Sequence, residues 1–302
     1  MSTRRLLIKR PESVDREVRN IVSSMFPYFD FSEYEQAFCD VHRLFIGEMH
    51  GYEACDTVYH DWSHTVGVLL ATARLLHGLH LDRHELSPRI VNLTLISSLF
   101  HDAGYIRRIG ENHGSGAQFT REHIQRSIDL LEDYTDKRGW SPANFMDMEA
   151  MIQCTDTDCS PDAIVFTNIE TMLAAHVLGT ADIISQMADD VYLEKLPLLY
   201  REFTEGGITE YSSEYDLFAQ TRGFHALIRS RLEGRLSNVI EYVTAHFKER
   251  HGIGQDLYSE AIQRNMDYLE CILTRHGKEY CKGLRRKLDR AENPTMTRVK
   301  TD

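Results

Sequence analysis

Apolar residues recur along the chain at the three-to-four-residue spacing of helices, and strictly alternating, strand-like runs are scarce. The pattern predicts helices over about Glu12 to Met25, Ser32 to Ile46 and His60 to His77, the last with Val66, Leu69, Leu70 and Ala73 on one side. A further helix follows Pro88 and carries Ile90, Val91, Leu95 and Leu99 before ending near Asp102. Helices are also expected over Phe119 to Asp133 and from Ser141-Pro142, an N-cap with proline in the first turn, to Gln153. Ile164 to Met187 reads as one or two helices around Gly179, and Tyr192 to Phe203 as another. An apolar stripe runs from Glu214 to Phe247, and two last helices cover Gln255 to Thr274 and Lys278 to Ala291. Gly47 to Val58 reads as a loop, and the glycines of Gly104 to Ala117 predict a second, mobile one. No repeat and no convincing linker divides the chain. The expectation is one all-α domain over residues 1–292, followed by a polar, disordered tail over 293–302.

Composition agrees with a folded core, at 42% hydrophobic and 26% charged residues. The least polar run, Ile90 to Phe100, is too short to span a bilayer, and the mean hydropathy is −0.38. The basic N-terminus turns charged before an export signal could form, so the expected location is the cytoplasm. A net charge of −12 argues against large nucleic acids and anionic membranes as partners, but not against a small phosphorylated substrate. The six cysteines contain no CxxC and read as reduced structural thiols.

The fifteen histidines are more informative, because several fall in short clusters. In Tyr59-His60-Asp61-Trp62-Ser63-His64 the two imidazoles are four residues apart, which on a helix puts them on one face. They could share a metal, or one could bind it while the other moves protons. Phe100-His101-Asp102-Ala103-Gly104 joins an imidazole to a carboxylate at a helix end, a donor pair suited to Mg, Mn, Fe, Zn or Co. Asp182 stands in Thr180-Ala181-Asp182-Ile183-Ile184, where a buried carboxylate needs a partner; the alternative is a cap after Gly179.

In that order, His64, His101-Asp102 and Asp182 resemble the metal quartet of the HD-domain superfamily of metal-dependent phosphohydrolases. The segment from Tyr59 to His64 resembles the Tyr-His-Asn-x-x-His motif of the class I cyclic-nucleotide phosphodiesterases. Cys154-Thr155-Asp156 is similar to their Ala-Thr-Asp segment, and Gln220 to Phe224 to their base-binding Gln and clamping Phe. The resemblance implies an all-α, HD-domain/phosphodiesterase-like bundle that hydrolyses a nucleotide phosphodiester, a cyclic nucleotide being the first guess. It implies two divalent metals, held by His64, His101, Asp102 and Asp182 with Asp102 bridging, and His60 as general acid. Glu122 and His123 are similar to an acidic/His pair beside the second metal, and Asp156 would line the site. Arg107 is a candidate phosphate ligand. Asp61 replaces the motif's Asn, Tyr105 stands where His-Asp-x-x-His ends, and the Gln220 to Phe224 spacing is one residue long. The residues leave open a monoesterase or triphosphohydrolase with the same metal site, a non-catalytic metal-bound binding module, and a homo-oligomer.

Overall fold

The computed structural model describes residues 11–111 and 114–284. Among them the chain forms an all-α bundle with no β-strand; the only extended pairing is an isolated bridge between Tyr52 and Arg108. Eleven α-helices follow in order: α1 Pro11–Met25, α2 Ser32–Phe45, α3 Trp62–Leu81, α4 Pro88–Phe100, α5 His123–Lys137, α6 Pro142–Gln153, α7 Ile169–Met187, α8 Tyr192–Glu205, α9 Glu214–Ser230, α10 Val243–His251 and α11 Leu257–His276. The expected tail over 293–302 lies outside the described residues, as does half of the helix expected over Lys278 to Ala291. Its described part is a 3₁₀ turn, Gly277–Lys282. No described helix is long and apolar enough to cross a membrane. All six cysteines are free thiols.

The bundle is organised around α3. Its residues from His64 to Leu79 are buried except Gly67, so it is covered on nearly every side, as expected of a helix apolar all round. It packs on α7, α1, α10 and α4. The stripe read as running from Glu214 to Phe247 is broken: α9 ends at Ser230, a π-turn covers Arg231–Arg235, and Ser237 and Asn238 take positive φ before the chain resumes toward α10. Arg231 explains the break. Its guanidinium donates to the carbonyls of Cys154, Asp156, Thr157 and Cys159 at 2.7–3.2 Å, folding that segment around one cation.

Polar groups are also buried at the α3/α10/α11 contact. Arg74, fully buried, donates to the Tyr258 hydroxyl at 2.8 Å and lies over the Phe247 and Tyr258 rings. Nearby, His77 Nδ1 and His246 Nδ1 are 3.1 Å apart. Burial, Arg74, His77, His251 and Arg250 hold the His246 pKa down at about 2; burial, Arg250 and His80 hold that of His77 down at about 4. Both values lie below the ordinary 6.5, so the stabilisation is complete above pH 6.5 and is lost as pH falls toward the folded-state values. Acidification from pH 7 to 5 should cost about 2 kcal/mol for each imidazole. Urea midpoints at the two pH values measure this. The His77→Leu/His246→Leu protein should lose less stability on acidification than wild type, and equal losses would exclude the pair as the acid-labile element.

Candidate metal centre

The three segments that carry the quartet converge because their helices are joined in the core. His64 lies in the first turn of α3, His101 and Asp102 directly follow α4, and Asp182 is inside α7. The helix expected from His60 begins two residues later. Asp61 takes extended backbone and its carboxylate accepts from the His64 N–H at 2.9 Å, capping α3. His60 therefore precedes the helix and does not share a helical face with His64. Asp182 is not a cap: α7 is one continuous helix through Gly179.

Donor atoms of His64, His101 and Asp102 all lie within 4.8 Å of one another. His64 Nε2 is 3.1 Å from Asp102 Oδ2, 3.3 Å from Asp182 Oδ1 and 3.2 Å from His101 Nε2. His101 Nε2 is 3.3 Å from Asp102 Oδ2 and 3.8 Å from Asp182 Oδ1. Ligands about 2.1 Å from a common ion are separated by about 3–3.5 Å, so this spacing suits one cation. The tautomer agrees. His101 Nδ1 is 2.9 Å from the Ser98 carbonyl, which only accepts, so the neutral ring carries its proton there and turns the Nε2 lone pair to the cluster. Asp102 Oδ2 is buried and accepts no hydrogen bond, although two imidazoles face it. Burial opposes a charged His64, yet Asp102 and Asp182 hold its pKa up at about 10. A cation held there would take the place of that proton.

His60 is held by a residue that no local pattern marks. Its Nδ1 lies 2.6 Å from Glu202 Oε2 on α8, and the other oxygen of Glu202 accepts from the Tyr59 N–H at 2.6 Å. Burial favours a neutral His60, but the Glu202 carboxylate outweighs it and raises the imidazole pKa. Burial likewise opposes ionised Glu202, and His60 with the Tyr59 N–H holds its pKa down. The Tyr59 hydroxyl donates to Gln186, whose amide donates to Asp182 Oδ1 at 2.7 Å, linking the two halves of the site.

The remaining candidates separate clearly. His123 Nε2 is 3.8 Å from Asp102 Oδ1, with Nδ1 anchored 2.7 Å from the Thr120 carbonyl. Glu122 is exposed at the start of α5 and its side chain makes no capping bond. Asp156 is half-buried in a turn, accepting from the Asp158 N–H at 2.9 Å. Arg107 is not available to phosphate: it pairs with Asp56 at 2.8 Å and donates to the Glu111 carbonyl. Gln220 donates to Asp216 within α9, and Phe224 is 37% exposed on the same helix. Neither hydrogen-bonds to or stacks on the quartet or His60. A cleft of about 100 Å³ reaches His64, with Tyr59, Ser63, Ser185, Gln186 and Lys195 among its walls.

The expected mobile rim is fastened over its described part. Arg126 donates to the Gly104 and Ile106 carbonyls and grips Glu111 with two bonds, while Ser115 bonds to Glu205. His113 lies outside the described residues. Gly104 is needed for close approach: a Cβ there would sit 2.0 Å from the His123 carbonyl oxygen and 2.7 Å from the Ser127 nitrogen. Gly104→Ala should cost about 1–3 kcal/mol, as overpacking does, measured as a fall in the denaturant midpoint. An unchanged midpoint would show that α5 yields freely there.

No curated protein and no solved structure matches the chain. One family model does, over residues 29–265, a span that holds the quartet, His60, His123 and Glu202. The chain belongs to the Npun_R2479-like family.

Proposed function

We propose that the chain is a cytoplasmic, metal-dependent phosphohydrolase acting on a small phosphorylated substrate, with a nucleotide phosphodiester the first class to try. The observation that carries the reading is the convergence of buried His64, His101 and Asp102 atoms and half-buried Asp182 at ligand spacing, with the His101 lone pair turned inward and Asp102 Oδ2 lacking a hydrogen bond. These four side chains would hold a divalent cation. Asp102 would also serve a second ion, beside which His123, 3.8 Å from Asp102 Oδ1, would stand. Bound there, such ions neutralise a phosphoryl oxygen and supply an acidified water near neutral pH.

The chain's own contribution is a proton. Glu202 accepts from His60 Nδ1–H and stabilises the imidazolium, so Nε2 keeps a proton to give to the leaving oxygen. Burial of the cluster excludes bulk water from the charged groups. A second reading, hydrolysis of a small monoester, is favoured by one observation: Gln220 is bonded to Asp216 within α9 and Phe224 lies at the surface, so the pair expected to bind a base does not reach the quartet.

The test is metal analysis of purified protein together with a panel of cyclic mononucleotides, model diesters and monophosphates. Diester hydrolysis that follows metal loading supports the first reading. Phosphate release from monoesters alone selects the second, and metal-free protein inert toward all of them after metal addition would overturn both.

A further inference from the structure

His60, the proton donor in the proposed function, gets no orientation from a helix, since α3 begins after it. One edge is fixed by Glu202. The face of its ring is fixed by Tyr105. The two rings are stacked with centroids 4.7 Å apart and planes 9° apart. The opposite face of Tyr105 is covered by His123 at 4.5 Å and 17°. A buried phenol thus separates two imidazoles in a three-ring stack, and both imidazoles belong to the surroundings of Asp102.

The stack is anchored at both ends and in the middle. His123 Nδ1 bonds to the Thr120 carbonyl and His60 Nδ1 to Glu202. Tyr105 sits in the 3₁₀ turn Ala103–Tyr105 directly after Asp102. Its carbonyl packs so closely on Gly116 that a Cβ there would lie 2.1 Å away. With one ring nitrogen of each imidazole anchored and one face covered, neither ring can turn about its side-chain bonds without breaking the stack.

We infer that Tyr105 is a positioning residue that orients His60 and His123 toward the phosphoryl site through its two ring faces. This rests on the phosphohydrolase reading, and it assigns a role to the residue that departs from the His-Asp-x-x-His pattern. The phenolic oxygen is not the working part; the flat ring is. Tyr105→Leu fills much of the volume but presents no flat face, whereas Tyr105→Phe restores it.

The experiment compares wild type, Tyr105→Leu, Tyr105→Phe, His60→Ala and the His60→Ala/Tyr105→Leu double variant on an alkyl and a nitrophenyl phosphoester, with metal content measured in each. Tyr105→Leu should keep its metal and its KM within about twofold and lose about 10- to 100-fold in kcat on the alkyl ester, a fraction of full general-acid catalysis. The nitrophenyl ester, which needs less protonation, should lose much less. Tyr105→Phe should recover most of the loss, and the double variant should be no slower than His60→Ala. Loss of metal, equal losses on both esters, or additive losses in the double variant would each overturn the assignment. Ring-proton signals of His60 and His123 separate this from the function itself. Both should shift in Tyr105→Leu and stay near their wild-type positions in Tyr105→Phe, whether or not any ester is turned over. Unmoved signals in Tyr105→Leu would refute the positioning even in an inert protein, and an inert wild type with moved signals would refute the reaction alone.

Discussion

Asp102→Ala protein is expected to purify without bound divalent metal and to have no metal-dependent turnover. Asp102 Oδ2 faces both His64 Nε2 and His101 Nε2 within 3.3 Å, and Oδ1 faces His123, so one truncation removes charge from both sides of the cluster. Loss of groups that merely orient a ligand costs about 10–100-fold in metal affinity, and loss of this central ligand should exceed that. Asp102→Asn keeps the shape but not the charge and should fall between the two. Metal per chain, measured after dialysis against a fixed free concentration, decides it. Full occupancy in Asp102→Ala would remove Asp102 from the ligand set.

The second large effect is on chemistry alone. His60→Ala should retain metal and fold, because no donor atom of the quartet is lost. Turnover should fall by about 10²- to 10⁴-fold, the usual worth of a general acid. An acidic nitrophenol leaving group should suffer less than an alkoxide. Glu202→Gln should reproduce part of this loss, since a neutral amide no longer stabilises the imidazolium. Equal losses on both leaving groups would exclude His60 as the acid, and loss of metal would make it a ligand.

The all-helical class was readable because burial of α3, α4 and α7 imposes apolar spacing along the chain. The candidate quartet was legible through the order of its motifs, by resemblance, and Asp182 also because a carboxylate among apolar neighbours needs a partner. Partners fixed across the fold were not readable. Glu202 stands in α8 among ordinary charged residues, and only the docking of α8 brings it to His60, 142 positions earlier. Arg107 reads as a phosphate ligand because its actual partner, Asp56, lies 51 positions earlier in a different loop. The glycines between 104 and 117 suggested mobility, but Gly104 and Gly116 serve close backbone contact, which composition does not distinguish from freedom. Gln220 and Phe224 resemble a base-binding pair in residue type, but α9 leaves the first bonded to its own helix and the second at the surface.

The separation in sequence between the quartet and Glu202 has a consequence for how the protein matures during synthesis. Asp182 completes the ligand set once α7 has docked on α3, whereas the partner of His60 arrives only with α8. Under the proposed function, the chain up to Met187 would carry all four candidate ligands, whereas the carboxylate that pairs with His60 comes only with α8. Ion capture and proton donation would then depend on different lengths of the chain, and a chain ending between Met187 and Glu202 would lack the second whatever became of the first.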